Sequence, residues 1–518
     1  MNRVVIHRQE KTGYIKPELH GQFIEFLGTC IYDGIWVGEY SKIPNYRGLR
    51  KDFVDAMKEL HPPVIRWPGG CFADIYHWRD GIGERENRPV TYNENFGTCC
   101  LDTNQFGTHE FMELCRLVDA KPWLNINMMT GTPAEMREWM EYCNREEKTS
   151  LAAERKENGG KEAFKVKYWG LGNEMWCGGG NATPECYADQ YRQFASAIPA
   201  FYSNAGKDEE KIVKIASGPD GNKPKERVKW TQNLFRSFAE FRQPPLDALD
   251  LHFYNWNLEK AEETESLFDE EDWYRVIRNC FELEDVIREQ YSLIAEGVAG
   301  YPEAENPICE ENKKPECALM VGEWGNWHGS SFSSIPALYQ QCTMRDALTT
   351  ALTLDIFHRN CNYVELACVA QTANVLNSLF LTEGDKFLKT PNFDVFKMYK
   401  VHQGAEALKC DYSMEKVDAE QILYTFASTK EDEIYVNVIN IDFHKEHHIE
   451  MVFDVDVCYK ESMLIYSQNP RDCNTFDHPD RIRARRGDVP EEIQRGYRAV
   501  VPSASVNLYV FKEQIYAV

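Results

Sequence analysis

Tyr168-Trp169-Gly170-Leu171-Gly172-Asn173-Glu174-Met175-Trp176 is an apolar run that ends abruptly in an amide and a carboxylate. A short apolar run punctuated by glycine reads as a strand buried on both faces, as parallel sheets require. Glycine before the polar pair lets a ligand approach the backbone closely. Leu319-Met320-Val321-Gly322-Glu323-Trp324-Gly325 repeats the pattern. Working outward, eight candidate strands lie near Gly21–Glu25, Val64–Arg66, Trp123–Asn127, Tyr168–Glu174, Val213–Ser217, Ala248–His252, Met320–Glu323 and Val364–Ala367. Helical stretches separate them, among them Gly107–Val118, Pro133–Asn144, Asp272–Glu296 and Met344–Arg359. This alternation predicts an α/β fold, a (β/α)8 TIM barrel over residues 19–401. Residues 1–18 alternate apolar and polar, as in Val4, Ile6 and Tyr14, and predict one or two strands. Past residue 402 the helical pattern stops. Ile422–Ser428, Glu433–Asn440, Ile449–Val457, Ser462–Tyr466 and Val506–Phe511 read as strands of an all-β sandwich over 402–518, with the charged Asp480–Arg498 as a long loop.

The 518 residues exceed one average domain, which agrees with a large catalytic unit plus a smaller one. The net charge of −24 disfavours a nucleic-acid partner, because such a surface repels phosphate backbones. Aromatic residues make up 13% of the chain; they stack on sugars, but they also fill large cores. No apolar stretch is long enough to span a bilayer, and the N-terminus lacks the apolar run of a secretion signal. The 17 cysteines include no Cys-x-x-Cys pair and read as reduced thiols, so a cytoplasmic protein is expected. A sugar-cleaving enzyme there would act on small imported oligosaccharides.

Active sites of such barrels lie at the C-terminal strand ends. The polar residues there are Glu25, Asn127, Asn173, Glu174, His252, Tyr254 and Glu323. Two facing carboxylates suit glycosidic cleavage: one, protonated, delivers a proton to the leaving oxygen, and the other, ionised, attacks the anomeric carbon. A lone strand-end Glu more often pairs with an Arg; two in matching contexts, each beside a Trp, favour chemistry. His252 either tunes Glu174 or lines the substrate pocket, or else is a satisfied structural group. Glu25 either binds sugar or forms a salt bridge. Trp176, Trp324 and Trp327 either stack on sugar or pack the barrel mouth. Cys177-Gly178-Gly179-Gly180-Asn181 lacks the Lys-Ser/Thr of a phosphate loop. His444, His447 and His448 suit a solvated strand edge better than a metal site, and no residue set has clear metal-ligand spacing. Neither metal nor cofactor is expected.

The chain resembles glycoside hydrolase family 51, the α-L-arabinofuranosidases. The likeness rests on these two strand ends and on Gly21-Gln22-Phe23-Ile24-Glu25, Arg66-Trp67-Pro68-Gly69-Gly70, Asn104-Gln105-Phe106-Gly107, Leu251-His252-Phe253-Tyr254 and Ala370-Gln371-Thr372-Ala373-Asn374. The resemblance implies a barrel whose β-sandwich takes in the N-terminal strand. It implies a retaining exo-enzyme that removes terminal α-L-arabinofuranosyl residues, often as a hexamer. Glu174 would be the acid/base and Glu323 the nucleophile, with Glu25, Asn173, Tyr254 and Gln371 binding the sugar. An endo-glucanase, a β-xylosidase, another furanosidase or a non-catalytic sugar binder are the alternatives on this scaffold. The sequence departs from the family at Cys71, where many members carry Asn, at Phe96, where many place Trp, and at Gly322, where Asp is common. Cys71 and Phe96 are the departures that bear on sugar specificity, although a thiol such as Cys71 is on base rates an inert core group.

Overall fold

The structure is a computed structural model that describes residues 2–199, 211–259, 265–301, 317–417 and 420–514. Eight parallel strands close into a barrel: β2 (Gly21–Phe23), β3 (Val64–Trp67), β4 (Lys121–Ile126), β5 (Tyr168–Leu171), β6 (Val213–Asp220), β7 (Ala248–Asn257), β8 (Ala318–His328) and β9 (Val364–Ala370). They run in chain order around the barrel, and β9 pairs with β2 to close it. Strands such as β7 are buried almost throughout, because side chains fill the interior and helices cover the outside. This is why they read as continuous apolar runs.

The helices Pro133–Asn144 and Met344–Arg359 begin where their caps require. Thr132 accepts a hydrogen bond from the Glu135 N–H, and Thr343 forms a capping box with Asp346. The single helix expected over Asp272–Glu296 is two, Glu270–Cys280 and Glu282–Ala299. The break falls at Phe281, whose ring stacks on Tyr424 of the C-terminal sheet at 4.7 Å.

That sheet has ten strands. Strand β1 (Asn2–Tyr14) lies inside it, antiparallel to β10 (Glu406–Ser413) and parallel to β13 (His447–Phe453). The others are β11 (Leu423–Lys430), β12 (Glu433–Asn440), β14 (Val457–Tyr466), β15 (Arg485–Arg486), β16 (Glu491–Ile493), β17 (Gly496–Val501) and β18 (Ser505–Glu513). The order is β15-β14-β18-β12-β11-β10-β1-β13-β17-β16. The sheet packs over a core that includes Val4, Ile6, Val436, Ile449, Val501 and Phe511. The long loop expected over Asp480–Arg498 instead holds β15, β16 and the start of β17. β15 and β16 are the two edge strands, where charged side chains face water and discourage further pairing. Their charge hid them from a pattern-based reading. His444 meets Glu270 at 3.0 Å and His447 meets Asp442 at 2.8 Å, so these imidazoles pair separately rather than converge. Among the described residues no helix is long and apolar enough to cross a membrane.

Barrel and sheet meet around three buried histidines. His20 and His358 share a 2.9 Å hydrogen bond, and His402 lies against His358 with ring centroids 5.0 Å apart. His402 contacts Ser428 and Asn437 of the sheet, and Asn437 donates to Asp355 at 2.8 Å. Burial disfavours the charged ring, holding His20 well below its ordinary range and His358 and His402 at about 3. Burial likewise lifts Asp355 to about 6. Below about pH 6.5 the unfolded chain binds protons on these histidines that the folded chain does not, so stability falls with pH. Asp355 acts oppositely below about pH 6 and offsets roughly one of the three. The expected loss is on the order of 1 kcal/mol or more per pH unit below about pH 6. Thermal unfolding midpoints at pH 7 and pH 5 check it; a shallower fall in His358→Leu would assign the effect to this cluster, and a flat profile would refute it.

Candidate active site

The C-terminal ends of the barrel strands bring most of the expected residues into one pocket. After β5 the chain passes through Gly172 at φ 83° and then Glu174 at φ 41°, a left-handed backbone unusual for a side chain of this size. Such a conformation persists only when its surroundings hold it. Here the Glu174 carbonyl accepts from the N–H groups of Cys177 and Gly179. The turn points the carboxyl group back over the barrel mouth. β7 and β8 run in a register that pairs His252 with Glu323. Residues 252 and 254 share a strand face, so Tyr254 also enters the pocket.

Glu323 is bound on both oxygens. Arg66 donates to one at 2.6 Å and Tyr254 to the other at 2.7 Å. His252 Nδ1 lies 2.9 Å from Glu174 Oε1 and 3.6 Å from Glu323 Oε1. One oxygen of each glutamate and a ring nitrogen of His252 all lie within 4.8 Å of one another. Gly70 passes so close that a Cβ there would sit 2.8 Å from Glu323 Oε1, so only glycine leaves this carboxylate in place.

The two glutamates face opposite pressures. Burial pushes Glu323 up, but the charges of His252 and Arg66 and the Tyr254 hydroxyl outweigh it and hold Glu323 below its ordinary value. Burial raises Glu174, and the nearby Glu323 charge adds to this against the His252 hydrogen bond. The pocket therefore favours an ionised Glu323 and holds the Glu174 proton to a higher pH than an ordinary carboxyl group would. Burial alone would lower His252, but the charges of Glu323 and Asp250 and its bonds to Asp250 and Glu174 lift it to about 10.

Among the described residues Glu25 has no salt-bridge partner. It accepts from the Phe72 N–H at 3.0 Å, from Gln371 at 2.7 Å and from Asn95 at 3.2 Å. Burial, then the Glu323 charge, lift it to about 7. Asn173 uses its carbonyl to accept from Arg66 at 2.6 Å and leaves its buried N–H group without a partner among the described residues, as Gln371 leaves its carbonyl oxygen. Buried polar atoms of this kind are where a ligand's hydroxyls would bond. Cys71 is no core thiol: its sulfur lies 3.7 Å from Glu174 Oε2, and burial beside the carboxylates keeps it protonated. Phe96 is half-exposed at the rim, with its ring centroid 6.1 Å from that of Trp327, which also packs on Tyr254 at 5.1 Å. Trp176 spends its indole N–H on the Gly218 carbonyl at 3.1 Å. Trp324 is buried against Phe357 and Phe396 outside the barrel, because side chains alternate faces along β8 and Glu323 points in.

Three pocket residues escaped the sequence reading: Arg66, Asn95 and Asp250. Arg66 is fully buried between Phe23 and Trp123, with its charge on Glu323 and Asn173. A signal existed for each of the other two. Asp250 precedes His252 by two residues on one strand and so shares its face. Asn95 precedes Phe96 on the same turn.

Comparison with known proteins shows the family of the chain. The family model described as Alpha-L-arabinofuranosidase 1 domain matches residues 56–273, and that of the Alpha-L-arabinofuranosidase C-terminal domain matches residues 322–505. The intracellular exo-alpha-L-arabinofuranosidase of Bacteroides ovatus is 36% identical over 93% of this chain and 90% of its own length. The crystal structure of the GH51 arabinofuranosidase from Xanthomonas axonopodis pv. citri superposes with a TM-score of 0.88 at 30% identity, covering 99% of both chains. The alpha-L-arabinofuranosidase from Thermotoga maritima, solved as an arabinose complex, gives 0.80 at 25% identity over 99% of this chain and 100% of that one. With 36% identity over 93% of its length to one such enzyme and the fold of another over 99% of the chain, the chain belongs to the α-L-arabinofuranosidases of glycoside hydrolase family 51.

Proposed function

We propose that this protein removes terminal α-L-arabinofuranosyl residues from small oligosaccharides by double displacement with retention. Glu323 attacks the anomeric carbon while Glu174 protonates the departing oxygen; Glu174, now ionised, then activates water against the glycosyl-enzyme. The observation that carries this is the approach of a Glu174 oxygen to within 4.8 Å of a Glu323 oxygen. Retaining pairs stand about 5–5.5 Å apart, whereas inverting pairs need roughly 6.5–9.5 Å to admit water. The opposed proton affinities of the two groups support the same division of labour. Forming the glycosyl-enzyme removes the Glu323 charge, which lowers Glu174 and frees it to act as base.

Glu25, Asn173, Tyr254 and Gln371 bind the sugar, Asn173 through its unpartnered N–H group. Cys71 and Phe96 line the site where they bear on which sugar is accepted. The near-complete burial of Glu25, Asn173 and Glu323 suits a site for one terminal sugar. Hydrolysis of p-nitrophenyl α-L-arabinofuranoside, β-D-xyloside, β-D-glucoside and β-D-galactofuranoside tests the substrate class. Strong turnover of the arabinofuranoside alone supports it; preference for another sugar overturns it and makes Cys71 and Phe96 the first residues to exchange.

Arg66 gives a pH test. Replacing it by Gln removes a charge 2.6 Å from Glu323, so the pKa of Glu323 rises. Because Glu323 must be ionised to attack, the acid limb of kcat/KM moves to higher pH by about one unit or more. An unmoved acid limb would separate Arg66 from the nucleophile. The described cysteines are all free thiols, which suits a reducing compartment and a substrate already inside the cell. Assembly as a homo-oligomer, a hexamer by family resemblance, is read out by light scattering in solution.

A further inference from the structure

His252 is held from both sides. Its Nε2 lies 3.1 Å from Asp250 Oδ2, and its Nδ1 lies 2.9 Å from Glu174 Oε1. Asp250 is itself buried and fixed, accepting from the Gly322 N–H at 2.6 Å and facing Arg66 at 3.9 Å. It stands where a side chain at residue 322 would stand: a Cβ on Gly322 would fall 2.4 Å from both of its oxygens.

We propose that Asp250 is a positioning residue, which holds the Nε2 proton of His252 so that His252 donates from Nδ1 to Glu174, and that the missing side chain at Gly322 is what gives Asp250 its place. This rests on Glu174 being the acid/base and Glu323 the nucleophile. An ionised carboxylate only accepts hydrogen bonds, so the nitrogen facing Asp250 carries hydrogen. His252 keeps a second proton on Nδ1 because it is ringed by acids: Asp250 on its own strand, Glu174 after β5, Glu323 on β8 and Asp220 at the end of β6. Among the described residues the cation opposite them is Arg66, and the titratable groups one step further out are Cys71 and Asp74 beyond Glu174 and Tyr254 and Glu25 beyond Glu323. With Nδ1–H donating to Oε1, the acidic proton of Glu174 sits on Oε2. Asp250 thereby keeps a charged donor on Oε1.

Without the Asp250 charge His252 becomes neutral; in Asp250→Asn the amide oxygen stays on the Gly322 N–H, the amide N–H faces Nε2, and the one ring hydrogen stays on Nδ1. The neutral Nδ1–H is a weaker donor to Oε1 than the charged ring was, which leaves Glu174 a poorer acid toward the leaving group. Asp250→Asn keeps the shape and removes the charge. The expected result is a kcat lower by about tenfold to a hundredfold on a methyl or other alkyl arabinofuranoside, with KM within about threefold. The loss shrinks on a 2,4-dinitrophenyl arabinofuranoside, whose departure needs no proton. In ¹⁵N-histidine spectra the ring assigned by its absence in His252→Gln carries two N–H protons at pH 7 in the unaltered enzyme and one in Asp250→Asn. Gly322→Ala, with Asp250 present but displaced, repeats both signatures; unaltered unfolding midpoints show that each variant is folded. A doubly protonated ring in Asp250→Asn, or a loss equal across leaving groups, overturns the proposal. Turnover by Glu323→Ala or Glu174→Ala at the unaltered rate would instead bring down the assignment beneath it.

Discussion

Glu323→Ala lowers kcat on p-nitrophenyl α-L-arabinofuranoside by at least about 10⁴-fold, on the order of 5 kcal/mol of barrier at roughly 1.4 kcal/mol per tenfold. The size follows from what the pocket spends on this group. Two cations and a phenol are committed to one carboxylate: Arg66 at 2.6 Å, Tyr254 at 2.7 Å and His252 at 3.6 Å. Their joint effect is to keep Glu323 ionised despite full burial, which is what an attacking oxygen requires. Alanine offers no oxygen, and water placed in the gap attacks from a site not built to orient it. Removal also leaves Arg66 buried with Asp250 and Asn173 as its polar partners among the described residues, so a lower unfolding midpoint accompanies the loss. Glu323→Gln preserves the shape and hydrogen-bonding capacity and separates the two effects. A folded Glu323→Gln with more than about a hundredth of the original kcat would remove Glu323 from the nucleophile's role.

Glu174→Ala has the second largest effect, and its size depends on the leaving group. General acid–base assistance is worth about 10²–10⁴-fold. An alkyl arabinofuranoside, whose leaving oxygen needs a proton, loses on the order of 10³-fold. A 2,4-dinitrophenyl arabinofuranoside forms the glycosyl-enzyme nearly as fast as before, and the slow step becomes its hydrolysis, for which the base is missing. A burst of dinitrophenol followed by a slow steady state is therefore expected. Azide, small and needing no general base, accelerates the steady state and yields an arabinofuranosyl azide of the same anomeric configuration as the substrate. An azide product of inverted configuration would place the azide in the space of a lost nucleophile and exchange the two roles. The basic limb of kcat/KM also reports on Glu174: burial and the Glu323 charge raise it, so the protonated form survives to a higher pH than an ordinary carboxylic acid allows.

Several parts of the site were legible in sequence because strand ends are. Glu174 and Glu323 each close an apolar run, and in a parallel barrel the end of a run is the place where a polar group points at the mouth. Tyr254 and Gln371 were reachable through the family strings around them. Arg66 was not reached. It sits within Val64–Trp67, a strand buried on both faces, and pattern alone does not say whether an interior cation turns inward to a carboxylate or outward to a helix. Asp250 was hidden for a related reason. Read alone, an acid inside an apolar strand is an anomaly, and it makes sense only beside Gly322 of the next strand, where its oxygens fill the missing side chain's space. The tryptophans show the converse: Trp324 adjoins Glu323 in sequence, yet alternation sends it to the outer face.

The sequence by itself determined the alternation of strands and helices, the starts of capped helices such as Pro133–Asn144 and Met344–Arg359, the two carboxylates at strand ends and the family. These are local properties, set by periodicity, capping and the composition of short runs. The tertiary structure alone decided the partners: Arg66 and Tyr254 on Glu323, His252 between two glutamates, Asp250 behind it, Cys71 beside the acid, and the buried histidines between barrel and sheet. Each of these joins residues from different strands, loops or faces. Their proton affinities are set by burial and by charges a few ångströms away, and those distances exist only once the barrel has closed.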